Sequence, residues 1–237
     1  MPRVSRRAIV TGASSGVGRA VAVRLAKAGW QVAGVGRRMA ELEQTASLVP
    51  AGQIRPESCD VADAAAVQRL RARIEADWDG VDAVVAAAGI NVHRRGWLDV
   101  SPEDARTIIE VNLLGVFHVV QAFLPLMLGR EGATIVTIVS DAGMWANAKA
   151  GASYVASKFG VTGLTESLNV ELRDRGIRAT AIFPGDINTP LLDKRAVPPT
   201  VEQRTQMLQA DDVADCVMLA IELPPRAVVE KLVIRPR

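Results

Sequence analysis

The sequence predicts an α/β protein in which seven parallel strands form a doubly wound sheet with helices on both faces. Three observations carry that prediction. Short β-rich runs alternate with longer helical patterns along all 237 residues, as successive βαβ units require. Several of the short runs are near-continuously apolar, as strands buried on both faces are. The first of them passes through a glycine-rich turn straight into a helix, which places free backbone N–H groups at a strand end.

Residues 7–11, 31–36, 53–59, 81–87, 134–140, 178–184 and 230–234 are the candidate strands. Residues 16–28, 40–47, 63–77, 102–128, 152–173, 201–209 and 211–222 carry the helical patterns. Asp63, Ser101 with Pro102 and Asp104 behind it, and Asp211 stand where N-terminal caps or first-turn acids belong. Gly29 and Gly176 stand where helices close. Residues 186–200 contain Pro190, Pro198 and Pro199 without periodicity and read as a surface loop, of the kind that carries ligand contacts at the end of a strand. No repeat or linker-like tract divides the chain, so residues 1–237 read as one domain.

Composition removes several functions. At 49% hydrophobic and 23% charged the chain is an ordinary globular one, and its net charge of +2 is scattered in ones and twos. No phosphate-tracking stripe results, so no nucleic-acid partner is expected. Cys59, Cys216, His93 and His118 match no metal-ligand spacing, so no metal is expected. The two distant thiols fit a reducing, cytoplasmic setting. Residues 1–7 are basic, but the apolar run behind them breaks at Thr11-Gly12, too soon for a signal sequence. Residues 111–128 are apolar yet hold Asn112, His118, Gln121 and Pro125, which favours a buried or oligomer-facing helix over a membrane span. No membrane partner is expected.

The glycine-rich turn reads Thr11-Gly12-Ala13-Ser14-Ser15-Gly16-Val17-Gly18. Its glycines permit a tight turn, close approach of a diphosphate to the backbone and close packing of helix on strand. A flexible connecting loop is the alternative, but the position after the first strand favours dinucleotide binding. The second strand ends in Gly36-Arg37-Arg38. An acid there would accept from the adenosine ribose and repel a 2′-phosphate, whereas arginine does the reverse, so Arg37 and Arg38 predict NADP(H). Without a ligand the same pair would be two solvated side chains.

The only tyrosine, Tyr154, and Lys158 lie four residues apart on a predicted helix, so both leave one face a turn apart. A neighbouring ammonium favours phenolate, which would lower the tyrosine pKa from about 10 toward working pH and make it a usable acid or base. Ser140 closes the fifth strand, where a hydroxyl can donate to an oxygen that gains negative charge. A turn-forming serine is the plainer reading of that residue alone. Asn112 sits in an apolar stretch where its amide needs partners.

Together these residues resemble the short-chain dehydrogenase/reductase family, in its branch of about 250 residues, whose Rossmann-like fold is the doubly wound sheet expected here. Thr11, Gly12, Gly16 and Gly18 match its Thr-Gly-x-x-x-Gly-x-Gly motif, and Ser140, Tyr154 and Lys158 its Ser and Tyr-x-x-x-Lys motif. The resemblance implies that Gly12, Ser14, Ser15, Gly16, Val17 and Gly18 line the cofactor. It implies that Asp60 accepts from the adenine amino group with Val61 alongside, although Asp60 is equally a turn former. Ala87, Ala88 and Gly89 stand where the family has Asn-Asn-Ala-Gly, which keeps small residues beside the cofactor but loses two amide side chains. Pro184, Gly185, Ile187 and Thr189 match the segment that holds the nicotinamide carboxamide. Asn112 becomes the fourth catalytic residue, through its backbone carbonyl at a helix irregularity, and Lys158 also binds the nicotinamide ribose beside Tyr154.

The expected protein is therefore a single dinucleotide-binding and catalytic domain, with a substrate loop at about 186–200. It would be an NADP(H)-dependent oxidoreductase moving a hydride between nicotinamide and a small carbonyl or alcohol substrate, with Tyr154 as acid or base. A non-catalytic NADP(H)-binding regulator or redox sensor is the alternative, but has no reason to keep Asn112, Ser140, Tyr154 and Lys158 together. A halohydrin-lyase-like enzyme would lack the glycine motif. The substrate is expected near Ser140, Trp145 and His93, with Met144, Trp97 and residues 186–192 around them. Arg94 and Arg95 read as a solvated pair or as an attraction for an anionic substrate. Residues 223–234 resemble the serine 3-dehydrogenase-like and clavulanate-type aldehyde reductase subgroup, which implies small polar carbonyl compounds. The long apolar helices imply a homodimer or homotetramer.

Overall fold

Strand β1, Arg7–Thr11, buries Ala8 and Val10 on one side and Ile9 on the other, so the sheet needs cover on both faces. The computed structural model describes residues 6–195 and 197–237; most of the basic stretch 1–7, and Ala196 of the 186–200 loop, lie outside them. Strands β2 (Gln31–Gly36), β3 (Ile54–Ser58), β4 (Ala83–Ala86), β5 (Thr134–Ile138), β6 (Arg178–Pro184) and β7 (Lys231–Ile234) join β1 in one seven-stranded sheet of order β3-β2-β1-β4-β5-β6-β7. Every pairing is parallel, so the expected fold class is met. Strand order reverses between β1 and β4, and the crevice outside their C-terminal ends is where such sheets bind ligands.

Helices α1 (Gly16–Lys27), α2 (Met39–Ala46) and α8 (Ala210–Glu222) cover one face, pressing Val21, Leu25, Leu42 and Val217 onto Ala8, Val10, Val32 and Val85. On the other face α3 (Ala64–Asp77), α5 (Gly115–Phe123) and α6 (Ala152–Leu172) bring Leu70, Ile74, Phe123 and Val161 onto Ile9, Val84 and Ile135. Helix α4 (Pro102–Ile109) packs along α6, and α7 is a single short turn, Val201–Thr205. Asp63 and Ser101 accept from the N–H groups of Ala66 and Asp104, each at 3.0 Å, and so cap α3 and α4. Helix α8 starts one residue earlier than expected: Gln209 is its cap, Asp212 accepts from the Gln209 N–H at 2.7 Å, and Asp211 stands in the first turn.

The continuous helix expected over 102–128 is divided. A π turn, Glu110–Leu114, separates α4 from α5, and a tight turn at Leu124–Leu126, containing Pro125, ends it. The wide turn puts Asn112 inside the protein, where its Oδ1 accepts from Ile90 N–H at 2.8 Å and its Nδ2 donates to the Ile90 carbonyl at 3.0 Å. Residues Pro102–Leu126 are long and apolar enough to cross a membrane, with mean hydropathy 1.7 over their most apolar 18-residue window; half of that window is buried, and the segment packs on α3 and α6.

Candidate active site

A cavity of about 770 Å³ opens at the C-terminal ends of the central strands. Its floor is the turn between β1 and α1. Gly12 adopts φ +70°, and a Cβ there would come within 2.8 Å of the Ala87 carbonyl oxygen. A Cβ on Gly18 would lie 2.4 Å from the Gly12 carbonyl oxygen, so helix and strand approach to a distance only glycine allows. The turn thereby leaves its backbone open to the cavity at the N-terminus of α1, the environment a diphosphate requires. Thr11 Oγ1 accepts from the N–H groups of Ala87 and Ala88, both at 3.1 Å, and the Asn112 amide holds Ile90. This chain therefore fixes the Ala87–Ile90 segment without the two asparagine side chains that its motif lacks.

At the β2 end Gly36, Arg37 and Arg38 line the cavity beside Ser14 and Ser15. Arg38 Nη2 reaches Ser14 Oγ at 3.3 Å and Ser15 Oγ at 3.5 Å, while its Nη1 pairs with Glu41 at 3.0 Å. Arg37 approaches Asp60 at 3.8 Å. Asp60 Oδ1 accepts from the Ala62 N–H at 3.0 Å, the turn-forming geometry, and Asp60 and Val61 both line the cavity. Gly12, Gly16, Val17, Gly18, Ala87, Ala88, Gly89, Pro184, Gly185, Ile187 and Thr189 line it as well. The expected loop at 186–200 is anchored: Ile187 bridges to Leu208, and Arg195 and Arg204 pair with Asp186 and Asp193.

Ser140, Tyr154 and Lys158 meet on one wall. Ser140 lies just beyond β5, where its hydroxyl faces the Tyr154 phenol and also donates to Asp141 Oδ1 at 3.2 Å. Asp141 thus turns toward the cavity, with Arg235 at 3.9 Å. Lys158, 5% exposed, donates from Nζ to the Ile138 carbonyl at 2.9 Å. Gly89 sits between Lys158 and Asn112: a Cβ there would lie 3.8 Å from Lys158 Nζ and 3.6 Å from Asn112 Oδ1. Asn112 Nδ2 also donates to Ser157 Oγ at 3.2 Å.

The electrostatics correct one expectation. Lys158 does not bring the tyrosine toward neutrality. Desolvation pushes Tyr154 up to about 12, with Asp141 adding to the rise; the Ser140 hydrogen bond, Arg95 and Arg195 oppose it. Burial pulls Lys158 down to about 8. The ammonium is bound to a carbonyl and faces the phenol ring rather than being set against its oxygen, and its own charge is costly there.

The expected substrate residues divide. Tyr154 and Ser140 line the main cavity; Trp145 lines an adjoining hollow with Asp141, Asn147 and Arg235. His93 and Trp97 are exposed and line neither, because the loop after β4 turns their side chains outward, and Met144 packs on the core instead. Arg95, Asn147, Lys149, Arg195 and Arg235 do line the main cavity. Of these the sequence names Arg95, as half of a pair, and includes Arg195 in the expected substrate loop; Asn147, Lys149 and Arg235 come from a loop and from the chain end, where no spacing marks them.

The family model described as short chain dehydrogenase matches residues 6–198. An uncharacterized oxidoreductase of Staphylococcus epidermidis is 32% identical over 97% of this chain and 96% of its own length. One from Myxococcus xanthus is 39% identical over 78% of this chain and 74% of its own. Among solved structures, an alcohol dehydrogenase from Thermococcus sibiricus complexed with 5-hydroxy-NADP superposes with a TM-score of 0.87 at 29% identity, covering 98% of this chain and 97% of that one. The closed form of a serine dehydrogenase complexed with NADP+ gives 0.88 at 29% identity, covering 97% and 94%.

Proposed function

The chain belongs to the short chain dehydrogenase family of oxidoreductases, and from that premise we propose that it is an NADP(H)-dependent enzyme interconverting a carbonyl compound and its alcohol, with Tyr154 as the proton donor and acceptor. The observation that carries the reading is the wall on which Ser140, Tyr154 and Lys158 meet, beside the glycine turn and backed by Asn112. NADP+ and 5-hydroxy-NADP in the two structural relatives support the cofactor.

A bound nicotinamide would supply the electron pair as a hydride when reduced and accept it when oxidised. The turn from Gly12 to Gly18 would hold the diphosphate, Arg37 and Arg38 the 2′-phosphate over Gly36, Asp60 and Val61 the adenine, and Ile187 and Thr189 the carboxamide. Ser140 donates a hydrogen bond to the carbonyl oxygen as charge develops on it, and Tyr154 O–H gives that oxygen its proton. A phenol pushed up to about 12 remains protonated throughout the neutral range and is thus poised as an acid. Once the proton has left, the charges of Arg95 and Arg195, which already favour the phenolate, stabilise the tyrosinate, Lys158 would hold the nicotinamide ribose beside it, and Asn112 keeps the neighbouring Ile90 backbone in place. One proton from solvent then restores the tyrosine.

The same reading extends to assembly. The π turn presses Leu113 against Gly160 of α6, so the partly exposed Leu114, Phe117 and Phe159 fall on neighbouring helices and form a face suited to a homodimer or homotetramer. The two free thiols suit the cytoplasm.

A screen of aldehydes, ketones and oxo acids with NADPH, run beside NADH, tests the activity. At least one carbonyl compound is expected to drive NADPH oxidation; binding of NADPH with no turnover across the panel would make the protein a cofactor-binding regulator instead.

A further inference from the structure

The two adjacent arginines after β4 have different fates. Arg94 is exposed and lines no part of the cavity, whereas Arg95 is partly buried in its wall. Its Nη2 donates to the Lys194 carbonyl at 2.6 Å, and its backbone rests on Gly151, where a Cβ would lie 2.4 Å from the Arg95 carbonyl oxygen. Gly151 caps α6, three residues before Tyr154. Arg95 is therefore fixed against the helix that carries the phenol, and its charge acts on that phenol.

Among the described residues no carboxylate pairs with Arg95. The neighbouring cations differ: Arg195 pairs with Asp186, and Arg235 approaches Asp141 at 3.9 Å. Lys149 and Lys194 add two further cations at the rim, also without an ion pair among the described residues. A guanidinium carries five donors, and with Nη2 on the Lys194 carbonyl the others face the cavity, where an anion can take them in place of water. Arg37 and Arg38, at the β2 end, serve the opposite end of the cavity.

We propose that the substrate carries a carboxylate a few bonds from its reacting carbonyl or carbinol carbon, and that Arg95 holds it. The planar fork of the guanidinium matches a carboxylate with two parallel N–H···O bonds. Binding that group beside Tyr154 turns the reacting oxygen toward the phenol and Ser140. This rests on the reading of Tyr154 as proton donor given above and names the substrate class, a short oxo or hydroxy acid.

The test compares 2-oxobutanoate, 3-oxobutanoate and 4-oxopentanoate, each beside its methyl ester, with NADPH and the wild-type, Arg95→Gln, Arg95→Lys and Arg94→Gln proteins. At least one acid is expected to exceed its ester in kcat/KM by about 10- to 100-fold. That ratio falls to near unity in Arg95→Gln, is intermediate in Arg95→Lys, which keeps the charge but not the fork, and is kept in Arg94→Gln. No acid preference at any chain length, or a preference that survives Arg95→Gln, overturns the proposal. Calorimetric binding of butanoate and butanamide to the protein with NADP+ gives an answer free of turnover. The acid should bind about tenfold more tightly or better, an advantage lost in Arg95→Gln; equal affinities overturn the proposal. Carboxylate binding without turnover of any carbonyl would sink the reaction assigned to Tyr154 and leave the Arg95 site standing.

Discussion

Lys158 crosses beneath the ring of Tyr154: its Nζ lies 5.5 Å from the ring centroid and donates to the Ile138 carbonyl at 2.9 Å. The lysine is thus stored against the end of β5, one turn along α6 from the phenol, with its positive charge partly desolvated.

That storage has a signature in stability. Burial depresses Lys158 to about 8, below its ordinary value of 10.5, so between those values the unfolded chain binds more protons than the folded one. Stability attributable to this residue therefore rises with pH over that window and is lost as pH falls through about 8. Tyr154 acts in the opposite sense at higher pH, because a phenol raised to about 12 costs stability from pH 10 upward. The Lys158→Met protein should lack the rise: its urea midpoint is expected to exceed that of wild type at pH 7, with the difference shrinking by pH 9.5. A constant difference over that range would contradict the assignment.

Cofactor choice should depend on the β2 end. Arg38→Ala removes the guanidinium beside Ser14 and Ser15 and is expected to lower kcat/KM for NADPH by about 10- to 100-fold, with a smaller change for NADH. Gly36→Asp supplies the missing acid where there is room, since a Cβ there would lie 3.4 Å from Ser14 Oγ and 3.5 Å from Leu42 Cδ2. It should move the NADPH/NADH ratio of kcat/KM toward NADH by about tenfold or more. Equal ratios in wild type and both variants would remove the arginines from the cofactor site.

How much of this was legible in the sequence follows from range. Strand identity and the glycine turn depend on residues a few positions apart, so β1, its turn and α1 were readable, as was the placing of Tyr154 and Lys158 on one helical face. The π turn is implied only by the family resemblance, as a helix irregularity at Asn112; no local spacing marks it, because Asn112 is drawn inward by the backbone of Ile90, which follows β4. The state of the tyrosine was not readable: a lysine one turn away looks activating until its bond to Ile138 and the desolvation of both groups are seen. The sequence reading places His93 at the substrate and leaves Arg95 in a pair that is either solvated or drawn to an anion; the path of the loop reverses this, sending His93 out and Arg95 in.

The exposed apolar face should set the oligomeric state. Phe117 and Phe159 are each somewhat under half exposed, and replacing both with glutamate puts two charges where another copy would pack. Light scattering at micromolar concentration is expected to show a dimer or tetramer for wild type and a smaller species for Phe117→Glu/Phe159→Glu. A wild-type monomer would end the proposal of assembly.

The central claim is that Tyr154 moves the proton, and Tyr154→Phe tests it with the least disturbance because only one oxygen is removed. With a carbonyl substrate found in the NADPH screen, kcat should fall by about 10²- to 10⁴-fold while NADPH still binds and the melting curve remains cooperative. A kcat within a few-fold of wild type would contradict the account.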